Sequence, residues 1–424
     1  MLQHYLLLSL KVLRRRPFFT FISIVGISLT LLVLMVTTAL MDHSWAPMAP
    51  ESRQHRMLVS GTAMLFAESP DGGLSAWCCN AGFALFDRHG RGLPGVEHLS
   101  IFKNTRQVDS YVSGRKISSQ LRRTDGDYWK ILDFTFLEGR PYTNKEVEDA
   151  ALVVVINRTT RERFFGSASA VGQPIEADNQ RFRVVGVVDD VSYLRDVPFA
   201  EIWAPYTTEK TRQDPGMLMG DFQAMVLAAP GADPNEIRGE FNARLARIAP
   251  SEFPPGGHYT TLVAPFETKF NAFARGMGEV ADLTDPDPQG WRLILAFGGL
   301  GLMFVLLPTI NLVNINISRI MERASEIGIR KAFGASSRTL VGQFVVENVM
   351  LTLAGGMVGF VLSGVVLNAL NRSGGFPYAH LTLNVRIFAY GVALAAVFGI
   401  ISGVYPAWRM SRLHPAQALK GGRR

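Results

Sequence analysis

The residues of this chain best placed to do chemistry lie together at Glu322–Ser336, which reads E-R-A-S-E-I-G-I-R-K-A-F-G-A-S. Glu322, Arg323, Glu326, Arg330 and Lys331 supply charge of both signs. Ile327, Ile329 and Phe333 form an apolar ridge among them, with Gly328, Gly334 and Ala335 as the small residues. Such side chains can make charge-assisted contacts around an apolar centre, which is the chemistry of docking rather than of bond cleavage. Catalytic and metal-binding patterns are missing elsewhere. There is no G-x-x-x-x-G-K-[ST] to hold ATP phosphates, and no G-x-S-x-G, H-E-x-x-H or paired C-x-x-C. His55, His89 and His98 show no metal-ligand spacing. Asp189-Asp190 follows a strand-like run and reads as a solvated turn rather than a catalytic dyad. A non-catalytic chain without a cofactor of its own is therefore expected, and any energy it uses must come from another chain.

Local sequence gives the docking segment a shape. Glu326 and Arg330 stand at i, i+4 with the acid first, the favoured order on a helix. Gly334 can end that helix in a left-handed turn. Ser336-Ser337 can cap the next one. The same residues also suit a basic interfacial helix that anchors a loop. The isoleucine ridge between charges of both signs favours a protein partner.

The elements that must position this segment are apolar. Phe18–Met41, Leu293–Ser318 and Ile387–Trp408 carry no charge over 24, 26 and 22 residues, and Leu340–Leu370 carries only Glu347. About 20 helical residues cross the ~30 Å hydrocarbon core, so each run is long enough to span. The net charge of +7 conceals an asymmetry. Residues 42–290 hold 26 Lys+Arg against 33 Asp+Glu, a net of −7, and the rest holds 17 against 3, a net of +14. A basic total would ordinarily raise nucleic acid as a partner, but here the cations flank the spans, so none is expected. They cluster at Lys11 and Arg14–Arg16, at Arg319–Arg338, and at Arg409–Arg424. The positive-inside rule puts the N-terminus, the 319–338 loop and the C-terminus in the cytoplasm. Residues 42–290 then lie outside. The first run also resembles a cleaved signal, but 24 apolar residues exceed the usual 7–15-residue core, and retention gives an even number of crossings.

The expected architecture is a membrane α-helical protein with four transmembrane helices, and a large mixed α/β periplasmic domain inserted between helices 1 and 2. Its segments are a cytoplasmic amphipathic N-terminal helix that meets membrane lipid (1–17), a first span (18–41), the periplasmic domain (42–290) and a second span (291–318). The cytoplasmic segment (319–338), a third span (339–370), a short external loop (371–385), a fourth span (386–408) and a cytoplasmic tail (409–424) follow. Within the external domain Ala151–Ile156 and Arg183–Val188 read as strands, Thr159–Phe165 as a helix, and Ile237–Ile248 as an amphipathic helix. Asp71-Gly72-Gly73 and Pro254-Pro255-Gly256-Gly257 read as turns. The only cysteines, Cys78 and Cys79, are adjacent. They could form a strained vicinal disulfide or bond another chain, but two thiols in or near a core is the preferred reading. In the spans, Gly355, Gly359 and Ser363, and then Ala395, Gly399 and Gly403, recur every four residues and let helices approach closely. Asn311, Asn314 and Asn316 in the second span should face other helices, and Glu347 should snorkel or cap a neighbour.

The docking segment resembles the coupling segment of the FtsX-like, MacB-type ABC transporter permeases (type VII). Gln343–Gly356, Q-F-V-V-E-N-V-M-L-T-L-A-G-G, resembles that family's third span, and Tyr405–Leu419 its C-terminal signature, within a permease domain over 291–419. F-L-E-G-R-P-Y at 136–142 and F-R-V-V-G-V-V at 182–188 resemble its periplasmic domain. The resemblance implies an inner-membrane subunit, paired with a second permease subunit as a homodimer or with a related chain. A cytoplasmic ABC ATPase dimer, binding ATP and Mg, would grip Glu322–Ala335 and drive the external domains by mechanotransmission. It also implies a split form with the ATPase on a separate chain, and a periplasmic adaptor and outer-membrane channel. Export of an antibiotic, peptide, siderophore or similar cargo is the leading expectation. Lipoprotein extraction and regulation of cell-wall hydrolases are the alternatives.

Overall fold

The structure, a computed structural model, describes residues 17–68, 74–112, 114–210, 216–254, 258–277, 290–304, 306, 329 and 336–411. The chain forms two compact units. Ser44–Leu293 with Pro377–Ala379 makes one, and the remaining chain makes the other.

Helix α1 (Pro17–Trp45) opens the helical unit. Its apolar window has a mean hydropathy of 2.5. The Ser23 and Thr30 hydroxyls donate to the carbonyls of Phe19 and Gly26, four residues back, at 2.9 Å each, so the helix satisfies its own polar side chains.

The soluble unit holds two sheets. The first contains β1 (Met57–Ser60), β2 (Ala63–Glu68), β3 (Leu74–Ala81) and β4 (Val96–Lys103). The second is one contiguous stretch: β5 (Arg106–Val112), β6 (Arg115–Thr124), β7 (Phe136–Gly139), β8 (Val153–Asn157), β9 (Pro174–Ala177), β10 (Gln180–Val188) and β11 (Ile202–Pro205). The chain then returns to the first sheet with β12 (Met219–Gly220), β13 (Phe222–Ala228) and β14 (Tyr259–Val263). The strand orders are β1-β13-β3-β2-β14, with β4 beside β13 and β12 beside β3, and β5-β6-β11-β8-β10-β7, with β9 beside β10. β8 reads V-V-V-I-N and is buried throughout, and it runs parallel to β10, as unbroken apolar strands do when both faces are covered.

The helices of this unit include α2 (Asn144–Glu148), α3 (Arg158–Phe165), α4 (Pro234–Leu245) and α5 (Lys269–Gly276). The two strands and the helix read at 151–188 are β8, β10 and α3. Asn157 caps α3 by accepting the Thr160 N–H at 2.9 Å. The Asp189-Asp190 pair holds the same helix start: Asp190 takes the Thr159 N–H and hydroxyl at 3.1 and 2.9 Å, and Asp189 pairs with Arg158 at 3.1 Å. In α4 the periodic Ile237, Phe241 and Leu245 are all buried. The helix stops at Leu245, short of Ile248, because Pro250 follows and holds Ala249 in extended backbone.

Three apolar clusters hold the unit together. Phe86, Phe241 and Phe266 centre the first, against α4. The second joins the two sheets, with Met57, Phe102 and Met225 from one and Trp203 from the other, around Tyr128. The third, on Ile156, Phe182 and Ile202, lies within the second sheet.

The helical unit continues in α6 (Gly290–Phe304), whose first residues belong to the soluble unit, then α7 (Ser337–Arg372) and α8 (Val385–Ser411). Ser336 caps α7 by accepting the Thr339 N–H at 3.2 Å, as the serine pair predicts. Among the described residues, two helices are long and apolar enough to cross a membrane, Pro17–Trp45 and Val341–Arg372. Gly290–Phe304 and Val385–Val397 are shorter apolar stretches.

Candidate functional site

Of the docking segment, Ile329 and Ser336 are described; Ile329 is helical and half exposed, and Ser336 is the cap of α7. Glu322, Arg323, Glu326, Ile327, Gly328, Arg330, Lys331, Phe333, Gly334 and Ala335 lie outside the described residues, as do the N-terminal amphipathic helix, the three asparagines and the 71–73 and 255–257 turns. Cys78 and Cys79 lie in β3, in register with Met64 and Ala63 of β2.

The small residues of α7 meet α1. A Cβ added at Gly355 would stand 2.8 Å from Ile27 Cβ and 2.9 Å from its Cγ2. At Gly359 it would stand 3.0 Å from the Ser28 carbonyl oxygen and 3.1 Å from Leu31 Cβ. Ser363 is fully buried and donates its hydroxyl to the Gly359 carbonyl at 2.6 Å. Glycine at these points lets two backbones touch, the kind of close approach that holds helices together where no hydrophobic drive is available. On α8, Ala395 is half-buried, and Gly399 and Gly403 lie within the helix. Glu347 is buried in α7 beside Asn348.

A second constellation lies within the soluble unit. Glu51 is 1% exposed. Its carboxylate accepts from Arg195 Nη1 at 2.8 Å and from Lys269 Nζ at 2.8 and 3.0 Å. Arg195 also donates to the carbonyls of Ala46 and Met48, at 2.8 and 3.4 Å, and Lys269 to that of Ser44 at 3.2 Å. Burial pulls the Lys269 ammonium below its ordinary value, and Glu51 opposes the shift. Beside it, Arg275 grips Glu267 through Nε and Nη2, at 2.6 to 3.0 Å. Glu267 in turn exchanges backbone hydrogen bonds with Val59 of β1, at 2.7 and 2.9 Å. Trp45, the last residue of α1, packs on Phe270 and Phe273 with ring centres 5.9 and 5.2 Å apart. Sequence reading missed this cluster, whose members carry no motif.

Two carboxylates join other parts of the soluble unit. Asp125, at the end of β6, accepts the Ser100 hydroxyl at 2.7 Å and the N–H groups of Ile101 and Tyr128 at 2.8 and 3.0 Å, tying the second sheet to β4 of the first. Its burial pushes its pKa up to about 6. Glu201 accepts the Gln120 N–H, Arg163 Nη1 and the Tyr378 hydroxyl. None of these groups forms a nucleophile–base pair, and among the described residues no three His, Cys, Asp or Glu gather as metal ligands. What the geometry offers is rigid connection.

Residues 20–244 match the MacB-like periplasmic core domain, and residues 298–415 match the FtsX-like permease C-terminal domain. The chain belongs to the MacB-type, FtsX-like family of ABC transporter permeases. Its relatives include the macrolide export ATP-binding/permease protein MacB of Wolinella succinogenes, 27% identical over 321 residues that cover 75% of this chain and 46% of that one. MacB of Escherichia coli K12 is 26% identical over 308 residues, covering 72% and 43%. The ABC transporter permease YknZ of Bacillus subtilis is 23% identical over 333 residues, covering 78% and 77%. The permease thus spans somewhat under half the length of the MacB relatives it matches. The crystal structure of the periplasmic region of MacB from Actinobacillus actinomycetemcomitans aligns with 48% of this chain and 88% of that one, at 14% identity and a TM-score of 0.34. The FtsX-like match contains Glu322–Ser336 and Gln343–Gly356, and the MacB-like match contains both periplasmic motifs, 136–142 and 182–188.

Proposed function

We propose that this permease is the force-transmitting membrane subunit of an export system whose ATPase is a separate chain. ATP and Mg bind that partner, an ABC ATPase dimer, which grips Glu322–Ala335 in the cytoplasm. Closure of the ATPase draws two permease subunits together and moves their periplasmic domains, with a periplasmic adaptor and an outer-membrane channel completing the route. Four spans cross the inner membrane, with both termini in the cytoplasm and Asp42–Gly290 in the periplasm. The chain itself is non-catalytic.

The observation that carries this reading is the placement of Glu322–Ser336. It is a short charged segment with an isoleucine ridge, inside the FtsX-like match and directly before the capped start of α7. A basic loop between spans needs no such ridge. The named relatives support the transporter class: one family member is described as a permease alone, and others as combined ATP-binding/permease proteins. A soluble unit of this size, Ser44–Leu293, favours work on the periplasmic side.

The test is reconstitution in lipid with the ABC ATPases encoded near this chain. A permease complex should turn over ATP faster than the ATPase alone. Arg330→Glu should abolish that stimulation while leaving the melting temperature of the permease unchanged. Stimulation that survives Arg330→Glu removes the docking role.

A further inference from the structure

We propose that Glu51 is a mechanical pin, holding α5 as a strut that carries movement of the spans into the periplasmic sheets. The proposal rests on the force-transmission reading above. It comes from what α5 touches. At its start, Lys269 reaches the Ser44 carbonyl, and Phe270 and Phe273 pack on Trp45, so α5 lies against the chain as it leaves α1. Gly290, where α6 begins, lies against the same helix: an added Cβ there would stand 2.5 Å from Asn271 Oδ1 and 3.3 Å from the Phe270 ring. One two-turn helix therefore touches the residues that join both the first and the second apolar helices to the soluble unit.

The strut is fixed at both ends by charge. Arg275 on its last turn grips Glu267, which is bonded through its backbone to β1 of the first sheet. Lys269 grips Glu51, and Glu51 also holds Arg195, which comes from the link between β10 and β11 of the second sheet. A single carboxylate thus gathers the chain leaving α1, the strut and the second sheet.

Burial makes this more than a surface ion pair. Glu51 is 1% exposed and Arg195 is 2% exposed. Buried ion clusters are poor devices for stability alone, because apolar residues of the same volume often hold a protein equally well. What they add is direction. Arg195 and Lys269 hold the Glu51 carboxylate at 2.8 to 3.0 Å, and a rigid body passes on displacement that a yielding one absorbs. A shift of Ser44 or Gly290 should therefore move both sheets together rather than bend the loop between 45 and 51.

The experiment uses the full-length permease in lipid with its ATPase, with Cys78 and Cys79 changed to Ser. Spin labels go on Lys116→Cys, an exposed site on β6 of the second sheet, in both copies. Distances are compared without nucleotide and with MgATP plus vanadate. The parent complex should show a nucleotide-dependent distance change. Glu51→Met/Arg195→Met/Lys269→Met, an apolar replacement of the cluster, should keep a melting temperature close to the parent's and retain ATPase stimulation, but lose at least nine-tenths of that change. Lys269→Arg, which keeps the ion pair, should retain it. If the triple variant folds poorly, Lys269→Met alone tests the same link and should lose most of the change. An undiminished change in a folded Lys269→Met or triple variant overturns the pin. A parent complex with normal ATPase stimulation and no distance change overturns force transmission itself, and the pin with it.

Discussion

Gly355 of α7 packs directly on Ile27 of α1, and Gly355→Ala should weaken the helical unit measurably. The new methyl would lie 2.8 Å from Ile27 Cβ, 2.9 Å from its Cγ2 and 3.3 Å from the Ile24 carbonyl oxygen. Ordinary carbon–carbon contact is about 3.5–4.0 Å, so the helices must separate by roughly 0.7–1 Å or Ile27 must turn away. Turning moves only Cγ2 and leaves the Cβ contact, and a β-branched residue has essentially one χ1 rotamer in a helix. Overpacking of this kind costs about 1–3 kcal/mol, and replacing a helical glycine by alanine returns up to about 1 kcal/mol. A net loss of about 1–2 kcal/mol follows, roughly a five- to thirty-fold fall in the folded-to-unfolded ratio. The control is Gly364→Ala, whose methyl first meets Leu383 Cδ1 at an ordinary 3.4 Å. Both variants are unfolded by SDS titration of the purified chain, alongside Gly355→Ala/Ile27→Ala. Ile27→Ala removes Cγ2 at 2.9 Å but keeps Cβ at 2.8 Å, so it relieves part of the clash and the double variant should be somewhat more stable than the two single losses predict. Equal stability of Gly355→Ala and Gly364→Ala, or strict additivity in the double variant, would refute the close approach.

Phe241 is fully buried, with ring centres 4.6 Å from Phe266 and 6.4 Å from Phe86, so Phe241→Ala should cost about 3–5 kcal/mol in denaturant unfolding. Cys78→Ser/Cys79→Ser should leave ATPase stimulation unchanged; its loss at normal expression would show that the cysteine pair matters. Asp125 is raised by burial from an ordinary 3.8 to about 6, so the folded chain holds the proton more tightly than the unfolded one. Its contribution is full below 3.8 and is lost as pH rises through about 6, a change of about 3 kcal/mol at ~1.4 kcal/mol per pH unit. The stability of wild type relative to Asp125→Asn should fall as pH rises over that window, read by unfolding at each pH. Glu146 behaves oppositely: the Arg140 guanidinium holds it down at about 2, so its contribution is present above the ordinary 4.5 and lost as pH falls through about 2. Arg140 is half exposed, so solvent screening limits that pair to about 1 kcal/mol, and Arg140→Ala should remove no more than this in melts above pH 5.

Local chemistry was readable from the sequence wherever it decided the structure. The β-branched runs at 151–156 and 183–188 became β8 and β10, the Ile237 period became α4, and Ser336 became the cap of α7. The pairing of strands was not readable. β13 pairs with both β1 and β4, and nothing in F-Q-A-M-V-L-A names partners more than a hundred residues upstream. Glu51 was invisible for the same reason. Its two cations stand 144 and 218 positions away, and a lone acid near a proline looks like any solvated residue until the fold encloses it. The docking segment was read from its charges, its ridge and its likeness to a family; its charged members lie outside the described residues.

The second sheet is contiguous in the chain, from Arg106 to Pro205, while the first is split around it into 57–103 and 219–263. This nesting sets an order of assembly as the chain emerges on the far side of the membrane. The inner sheet has all its strands once Pro205 is across, and it can close on contacts no more than about a hundred residues apart. β2 and β3 can pair at once, but β1 and β4 must wait for β13, their shared partner, and stay unpaired meanwhile. Those early edges are the part of the molecule most open to mispairing with a neighbouring chain. The same nesting lets the inner sheet be lengthened, trimmed or exchanged between relatives through two junctions, β4 to β5 and β11 to β12, without rewiring the sheet that carries it.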